Sequence, residues 1–146
     1  MRRIVVLLVL IVLLQVAPTL AQQAKGGKAP EITGDWTGTW GPYRPEGSKA
    51  PKITKEMILD CNVVLKGDKA WEATFKGDAG GPYKYTIKLE GRLVGDAVLF
   101  KGTVDLGEKD GGVYDWIGRA TDKEFLGFYT SSKYSGVFRL TRPKKS

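Results

Sequence analysis

The chain has 146 residues and a formal net charge of +7, with one cysteine and no histidine. The absence of histidine removes the commonest general base and metal ligand, and a lone cysteine excludes a disulfide-stapled scaffold. We therefore expect no enzyme, no metal and no cofactor. Since no basic run is interleaved with aromatic residues, the sequence does not predict a nucleic-acid-binding protein either.

The first 21 residues have the pattern of a secretory signal peptide. Arg2 and Arg3 precede an aliphatic run over residues 4–14, and Pro18-Thr19-Leu20-Ala21 offers small residues at the positions that a signal peptidase inspects. The run is shorter than the ~20 apolar residues that are needed to cross a bilayer. We therefore predict cleavage after residue 21, a secreted or periplasmic protein, and no membrane span in the mature chain.

Cleavage would leave about 125 residues, which is enough for one domain with its own core. Losing Arg2 and Arg3 lowers the net charge from +7 to +5. Such an excess serves solubility, or attracts the protein to an anionic envelope surface. We expect a monomer.

Beyond the signal, residues 22–33 show no apolar period and are predicted to form a flexible leader, and residues 143–146 form a basic tail. Between them, residues 34–142 make a single domain in which apolar and polar residues alternate with period two. The alternation divides into eight predicted strands, over residues 34–41, 56–66, 69–76, 83–93, 97–106, 113–120, 124–130 and 134–142.

The gaps between these strands predict a molecule with two different ends. Every odd-numbered gap is long or glycine-rich, and every even-numbered gap is a tight turn, as at Gly95-Asp96. In an antiparallel meander the odd gaps share one end, so tight hairpins form a closed end and adaptable loops rim an open one. Closing the sheet into an eight-stranded barrel removes both of its edges. An open β-sandwich is the alternative, and lysine-rich polar faces argue against a transmembrane barrel.

The apolar face of the strands is rich in aromatic residues and is predicted to turn inward. Cys61 falls on this face as a buried thiol, unless it forms an intermolecular disulfide. Glycines at positions 38, 102 and 118 leave inward positions empty or admit a neighbouring tryptophan. The register of the sixth and seventh strands stays open, since Asp115 with Arg119, and Leu126 with Phe128, also suit an inward face. The predicted inward aromatic residues are Trp36, Trp40, Trp71, Phe75, Tyr83, Tyr85, Phe100, Tyr114 and Trp116.

The opening of the first strand, Gly34-Asp35-Trp36, resembles the Gly-x-Trp motif of the lipocalins and their calycin relatives, including the avidins. The resemblance implies an up-and-down barrel whose tryptophan fills the closed end beneath a basic residue of the last strand. Arg142 is the best candidate for that partner of Trp36, and Arg139 is the second. The ligand-contacting residues of avidins have no counterpart here, so biotin binding is not implied.

Eight strands enclose a space that side chains fill or that holds one small ligand. We predict a non-catalytic, lipocalin-like protein that binds a small apolar or aromatic molecule at the open end. The alternative is a protein-interaction module, either an envelope-associated domain or a protease-inhibitor-like barrel that uses residues 22–33 as a wedge. The residues predicted nearest the mouth are Trp40, Tyr43, Tyr83, Tyr85, Tyr114 and Tyr129.

Overall fold

The computed structural model describes residues 28–42, 57–80 and 82–144. The predicted signal peptide, the first part of the leader, the first gap with Tyr43, and the last two residues of the tail lie outside these ranges. In the described part, eight antiparallel strands follow one another and one 3₁₀ helix spans Glu108–Asp110. The strands are β1 Gly34–Pro42, β2 Met57–Gly67, β3 Ala70–Asp78, β4 Lys84–Val94, β5 Ala97–Asp105, β6 Val113–Ala120, β7 Glu124–Thr130 and β8 Ser135–Thr141.

The sheet closes into a barrel in which each strand pairs with its neighbour in sequence, and β1 pairs with β8. The seam runs from Thr37 opposite Thr141 to Pro42 opposite Gly136. This pairing confirms the predicted up-and-down barrel and excludes the open sandwich. The tight turns after β2, β4 and β6 lie together at one end, as the lengths of the gaps predicted.

Strand alternation builds an apolar interior, and no polar or charged residue is buried in the described part of the chain, although some apolar residues, such as Ile58 and Ile117, lie on the exposed face. Tyr114, Trp116 and Gly118 of β6 face inward, while Asp115 and Arg119 are exposed. In β7, Phe125 and Tyr129 are buried, and Leu126 lies opposite the exposed Arg119. These positions settle the register of the two strands that the sequence left open.

Aromatic rings fill the closed half of the barrel. Trp36 meets Phe125 edge-on, with ring centroids 6.1 Å apart, and Phe125 meets Phe75 at 5.3 Å. Phe75 in turn lies 5.9 Å from Trp116, further towards the open end. Each such pair contributes about 0.5–1.5 kcal/mol beyond the burial of its surface. The closed half is therefore a solid core.

The inward glycines do not create internal space, so that expectation is wrong. A Cβ atom at Gly118 would lie 2.6 Å from the ring of Phe125 and 3.0 Å from that of Phe138. At Gly102 it would lie 2.7 Å from the carbonyl oxygen of Lys88, and at Gly38 it would collide with the backbone of β8 at Arg139. These positions are glycine because neighbouring rings and strands already occupy the space that a side chain would need.

The last residues of the predicted leader are packed against the closed end. Ile32 is fully buried, and its carbonyl oxygen accepts a hydrogen bond of 2.9 Å from Nε1 of Trp36. Ala29 packs against the same core. The predicted flexibility therefore does not extend to this part of the chain, because an isoleucine side chain and a buried indole hold it in place.

Cys61 faces the interior of the barrel, and its thiol is buried. Burial, together with the negative charge of Asp35, raises the pKa of this thiol well above its ordinary value. A thiol in this state is a poor nucleophile because the reactive species is the thiolate.

Candidate functional site

The open end of the barrel contains a cavity of about 200 Å³. It lies above the solid core, between the ends of β1, β4, β6, β7 and β8, beside the loop that contains the 3₁₀ helix. A cavity of this size has room for a small organic molecule. The aromatic residues that line it are Trp40, Tyr85, Tyr114, Trp116, Tyr129 and Tyr134.

The rings form walls around the cavity and meet one another at angles from 22° to 76°. Trp40 is the central ring: it lies 5.9 Å from Tyr85 at 76° and 5.6 Å from Tyr129 at 55°. Tyr114 is also inclined at 55° to Tyr129, whereas Trp116 stacks on Tyr129 at 4.8 Å and 22°. The stacked pair makes one thick wall, and the other rings meet it at an angle.

The loop between β5 and β6 brings a carboxylate to this aromatic site. Gly107 and Gly111 have φ values of 87° and 101°, which glycine adopts without strain, and they bracket the 3₁₀ helix. The fold of the loop places Asp110 on the wall of the cavity. Its backbone oxygen accepts a hydrogen bond of 2.9 Å from the hydroxyl of Tyr114, so the loop is fastened to a barrel strand.

Three tyrosine hydroxyls at the cavity are held in the neutral form. Burial, and then the charge of the nearby Asp110 carboxylate, raise the pKa of Tyr85. Burial also raises the pKa of Tyr114 and, more strongly, that of Tyr129. At neutral pH these groups are hydrogen-bonding hydroxyls, and none is poised to act as a base.

Two buried polar groups at the cavity have no hydrogen-bond partner among the described residues. They are the indole Nε1 atoms of Trp40 and Trp116, whose side chains are 6% and 1% exposed. A buried donor without an acceptor costs about 1–3 kcal/mol. Both indole rings belong to the wall of the cavity, but their Nε1 atoms have almost no accessible surface and therefore face the surrounding protein.

Four of the six residues that the sequence placed near the mouth line the cavity together: Trp40, Tyr85, Tyr114 and Tyr129. Tyr43 lies outside the described residues. Tyr83 was also predicted to face inward, and this is wrong, since its side chain is 51% exposed; a contact between Tyr83 and a ligand stays a prediction. Tyr83 precedes β4 and belongs to the turn, where its backbone oxygen accepts a hydrogen bond of 2.9 Å from the amide of Ala79. It is therefore outside the strand alternation that would have turned it inward.

Sequence reasoning missed Trp116, Tyr134 and Asp110 as cavity residues. Trp116 was expected on the inward face, but its height in the barrel depends on the turn after β6. That turn pairs Ala120 with Phe125, which places Trp116 opposite Tyr129 near the mouth. Counting back from the turn would have found it. The position of Asp110 depends on the folding of a glycine-rich loop, for which the sequence carries no comparable signal.

At the closed end, Arg142 lies over the ring of Trp36, 4.1 Å from its centroid. The same guanidinium donates hydrogen bonds to the backbone oxygens of Glu31 at 2.7 Å and Thr33 at 2.9 Å. Gly34 has a φ of 103°, and its Cα lies beside this guanidinium, where a side chain would be in contact with Nη1. Arg139, the second candidate, lies on the exposed outer face of β8, since its neighbours Phe138 and Leu140 face inward.

A second depression, of about 500 Å³, lies on the outer surface of β1, β2 and β3. Four of its polar side chains are already paired with one another. Thr37 donates to Asp60 at 2.7 Å, and Asn62 donates to Asp35 at the same distance. We therefore regard the cavity at the open end as the stronger candidate site.

The described residues contain neither a metal-binding cluster nor a membrane-spanning helix. No three histidine, cysteine, aspartate or glutamate side chains come together there in a way that could hold a metal ion. Across residues 28–42, 57–80 and 82–144 there is also no helix with the length and hydropathy of a membrane span.

Comparisons with known proteins add little to this picture. No model of a protein family matches the chain, and no curated protein does. Among solved structures, the crystal structure of a mutant of the fluorescent protein UnaG is similar, with a TM-score of 0.42 and 11% sequence identity. The match covers 78% of this chain and 97% of that one. A similarity this weak supports no conclusion about the function of this chain.

Proposed function

We propose that this chain is an exported, non-catalytic protein that binds one small, largely apolar molecule in the cavity at the open end of its barrel. The observation that carries the proposal is the cavity itself, which interrupts an otherwise solid aromatic core and is lined by six aromatic residues. Ligand sites are typically concave and apolar, with a few polar groups that orient the guest. Here the tyrosine hydroxyls and Asp110 are such polar groups.

Native mass spectrometry of the mature protein, purified gently from an exported fraction, tests this proposal. We expect a discrete mass above that of the polypeptide, which is lost on denaturation and identifies the class of ligand. A bare polypeptide mass, together with no uptake from a panel of small apolar and aromatic compounds, would count against ligand binding.

Two variants test the location of the site. Trp40→Ala and Tyr85→Ala should abolish uptake of the bound molecule, because both remove a wall of the cavity. Tyr83→Ala is the matched control: it removes the same side chain two residues away, from a position that faces solvent. Equal loss of binding in both tyrosine variants, or full binding by Trp40→Ala, would place the site elsewhere.

No observation on the described residues specifically supports the alternative, a protein-interaction module. The end of the predicted leader is packed at the closed end, opposite the cavity, so it is not available as a loose wedge. An envelope-binding surface would need a patch of one sign, but residues of opposite sign lie opposite one another in the strand register, as in Asp78 opposite Lys84 and Glu90 opposite Lys101. This mixture favours solubility over adhesion.

A further inference from the structure

Resting on the proposed function, we infer that the guest is a small organic cation: an ammonium whose nitrogen carries methyl groups. Such a cation has an apolar surface and a diffuse positive charge, so it satisfies an aromatic cavity and a carboxylate at once. Three features of the cavity support this choice.

The first feature is the arrangement of the rings. A cation is attracted to the face of an aromatic ring, and several rings that stand around a point bind a methylated ammonium better than one ring does. Tyr85 and Tyr129 are inclined to Trp40 at 76° and 55°, and their centroids lie within 6 Å of that of Trp40. A flat neutral guest would be better served by parallel walls, and only Trp116 and Tyr129 are close to parallel among these rings.

The second feature is the sign of the charge. Asp110 is the one carboxylate in the described lining, and no described lysine or arginine lines the cavity. This contrasts with a chain that has 23 basic and 16 acidic residues. The carboxylate lies close enough to Tyr85 to raise the pKa of its hydroxyl. A neutral apolar guest would gain nothing from that charge and an anion would be repelled by it, whereas a cation is attracted.

The third feature is the size of the cavity. A volume of about 200 Å³ limits the whole molecule to a small size. A methylated ammonium with at most a short chain meets all of these conditions.

Titration calorimetry with three probes separates the charge from the shape. Choline carries both the methylated ammonium and an oxygen, tetramethylammonium lacks the oxygen, and 3,3-dimethylbutan-1-ol has the shape of choline without its charge. We expect the neutral alcohol to bind at least about tenfold more weakly than choline, since cation–π attraction in a desolvated site is of that order. Tetramethylammonium keeps the charge and should therefore also bind more tightly than the neutral alcohol.

Variants then assign the charge effect to residues. Asp110→Asn should weaken choline binding roughly threefold to tenfold and leave the neutral alcohol unaffected. Asp122→Asn is the matched control, because it makes the same change of charge in the exposed turn at the closed end. Tyr85→Phe keeps the ring and should retain binding, whereas Tyr85→Leu should lose it. Tyr85 is partly exposed, so neither change threatens the core.

The outcomes distinguish this inference from the proposed function. Equal binding of choline and the neutral alcohol, or a neutral molecule in the native mass spectrum, would overturn the cation inference and leave ligand binding intact. No bound molecule and no binding of any probe would overturn both. Loss of choline selectivity in Asp122→Asn as well as in Asp110→Asn would show that net charge, and not the cavity, governs the effect.

Discussion

Arg142 joins the two ends of the described chain through one side chain. Its guanidinium covers Trp36 and donates to three backbone oxygens, those of Glu31, Thr33 and Asp35. The planar fork of arginine suits this geometry, whereas lysine offers a single point charge. The residue therefore fastens the segment before β1 to the end of β8.

We predict that Arg142→Ala lowers the free energy of unfolding by about 1–3 kcal/mol, because it removes charged hydrogen bonds and a cation–π contact. Urea denaturation followed by tryptophan fluorescence measures the change. Arg139→Ala, which truncates an exposed arginine of the same strand, should change it by less than about 0.5 kcal/mol. Equal effects of the two substitutions would contradict the role given to Arg142.

The buried tyrosines predict how stability depends on pH. Burial raises the pKa of Tyr129 in the folded state, while in the unfolded chain it ionises near its ordinary value of about 10. The folded state therefore retains a proton that the unfolded state loses. The stabilisation is fully present below pH ~10 and declines as the pH rises through and beyond that value.

Tyr129→Phe tests this dependence. Removing one such group should make the fall in unfolding free energy above pH ~10 shallower by roughly 1 kcal/mol per pH unit. Urea denaturation of both proteins at pH 8, 10 and 11 provides the measurement, and the pH 8 values serve as the internal control. An unchanged slope would mean that Tyr129 ionises in the folded protein as it does in the unfolded one.

At the scale of elements, the seam between β1 and β8 decides whether the sheet is closed. Gly38 lies opposite Leu140 in this seam, and a Cβ atom there would collide with the backbone of β8. A strand backbone cannot move aside as a flexible side chain can. The two strands approach each other this closely because position 38 is glycine.

We predict that Gly38→Ala lowers the free energy of unfolding by about 1–3 kcal/mol or more, the usual cost of overpacking. Amide hydrogen exchange should locate the damage in β1 and β8. Gly41→Ala is the control in the same strand, since nothing lies within 4 Å of the Cβ that it adds. If Gly38→Ala were as stable as Gly41→Ala, the close approach at the seam would be disproved.

The strands themselves were predictable because period-two alternation and turn residues are local signals. β6 and β7 begin and end where the sequence placed them, and the other strands shift by one or two residues at most ends. The errors concern features that depend on several strands at once. Whether Gly118 leaves a gap depends on where Phe125 and Phe138 point, and no pattern within β6 contains that information. Likewise, Asp110 reaches the cavity through the folding of a loop.

At the scale of the whole molecule, the two halves of the barrel differ in packing. The closed half is packed solid and is sealed from below by Ile32, which is fully buried outside the meander of strands. The open half contains the cavity and the residues that line it. Stability and ligand binding should therefore respond to different substitutions.

Ile32→Ala tests this division. We predict a loss of about 2–5 kcal/mol in the free energy of unfolding, typical of a large-to-small change in a core, with no change in affinity at the cavity. Val94→Ala, an aliphatic truncation at a position that is mostly exposed, should cost little. A matching loss of affinity in folded Ile32→Ala would show that the halves are coupled.

The polarity of the barrel also determines how the molecule would be presented if one end were attached to something. The segment before β1 and the residues after β8 both emerge at the closed end, where Arg142 holds them together. A tether, a tag or a fused partner at either position would therefore point the cavity away from the point of attachment. On a surface coated with the protein in this way, every cavity would face the surrounding solution and be equally accessible to what diffuses past.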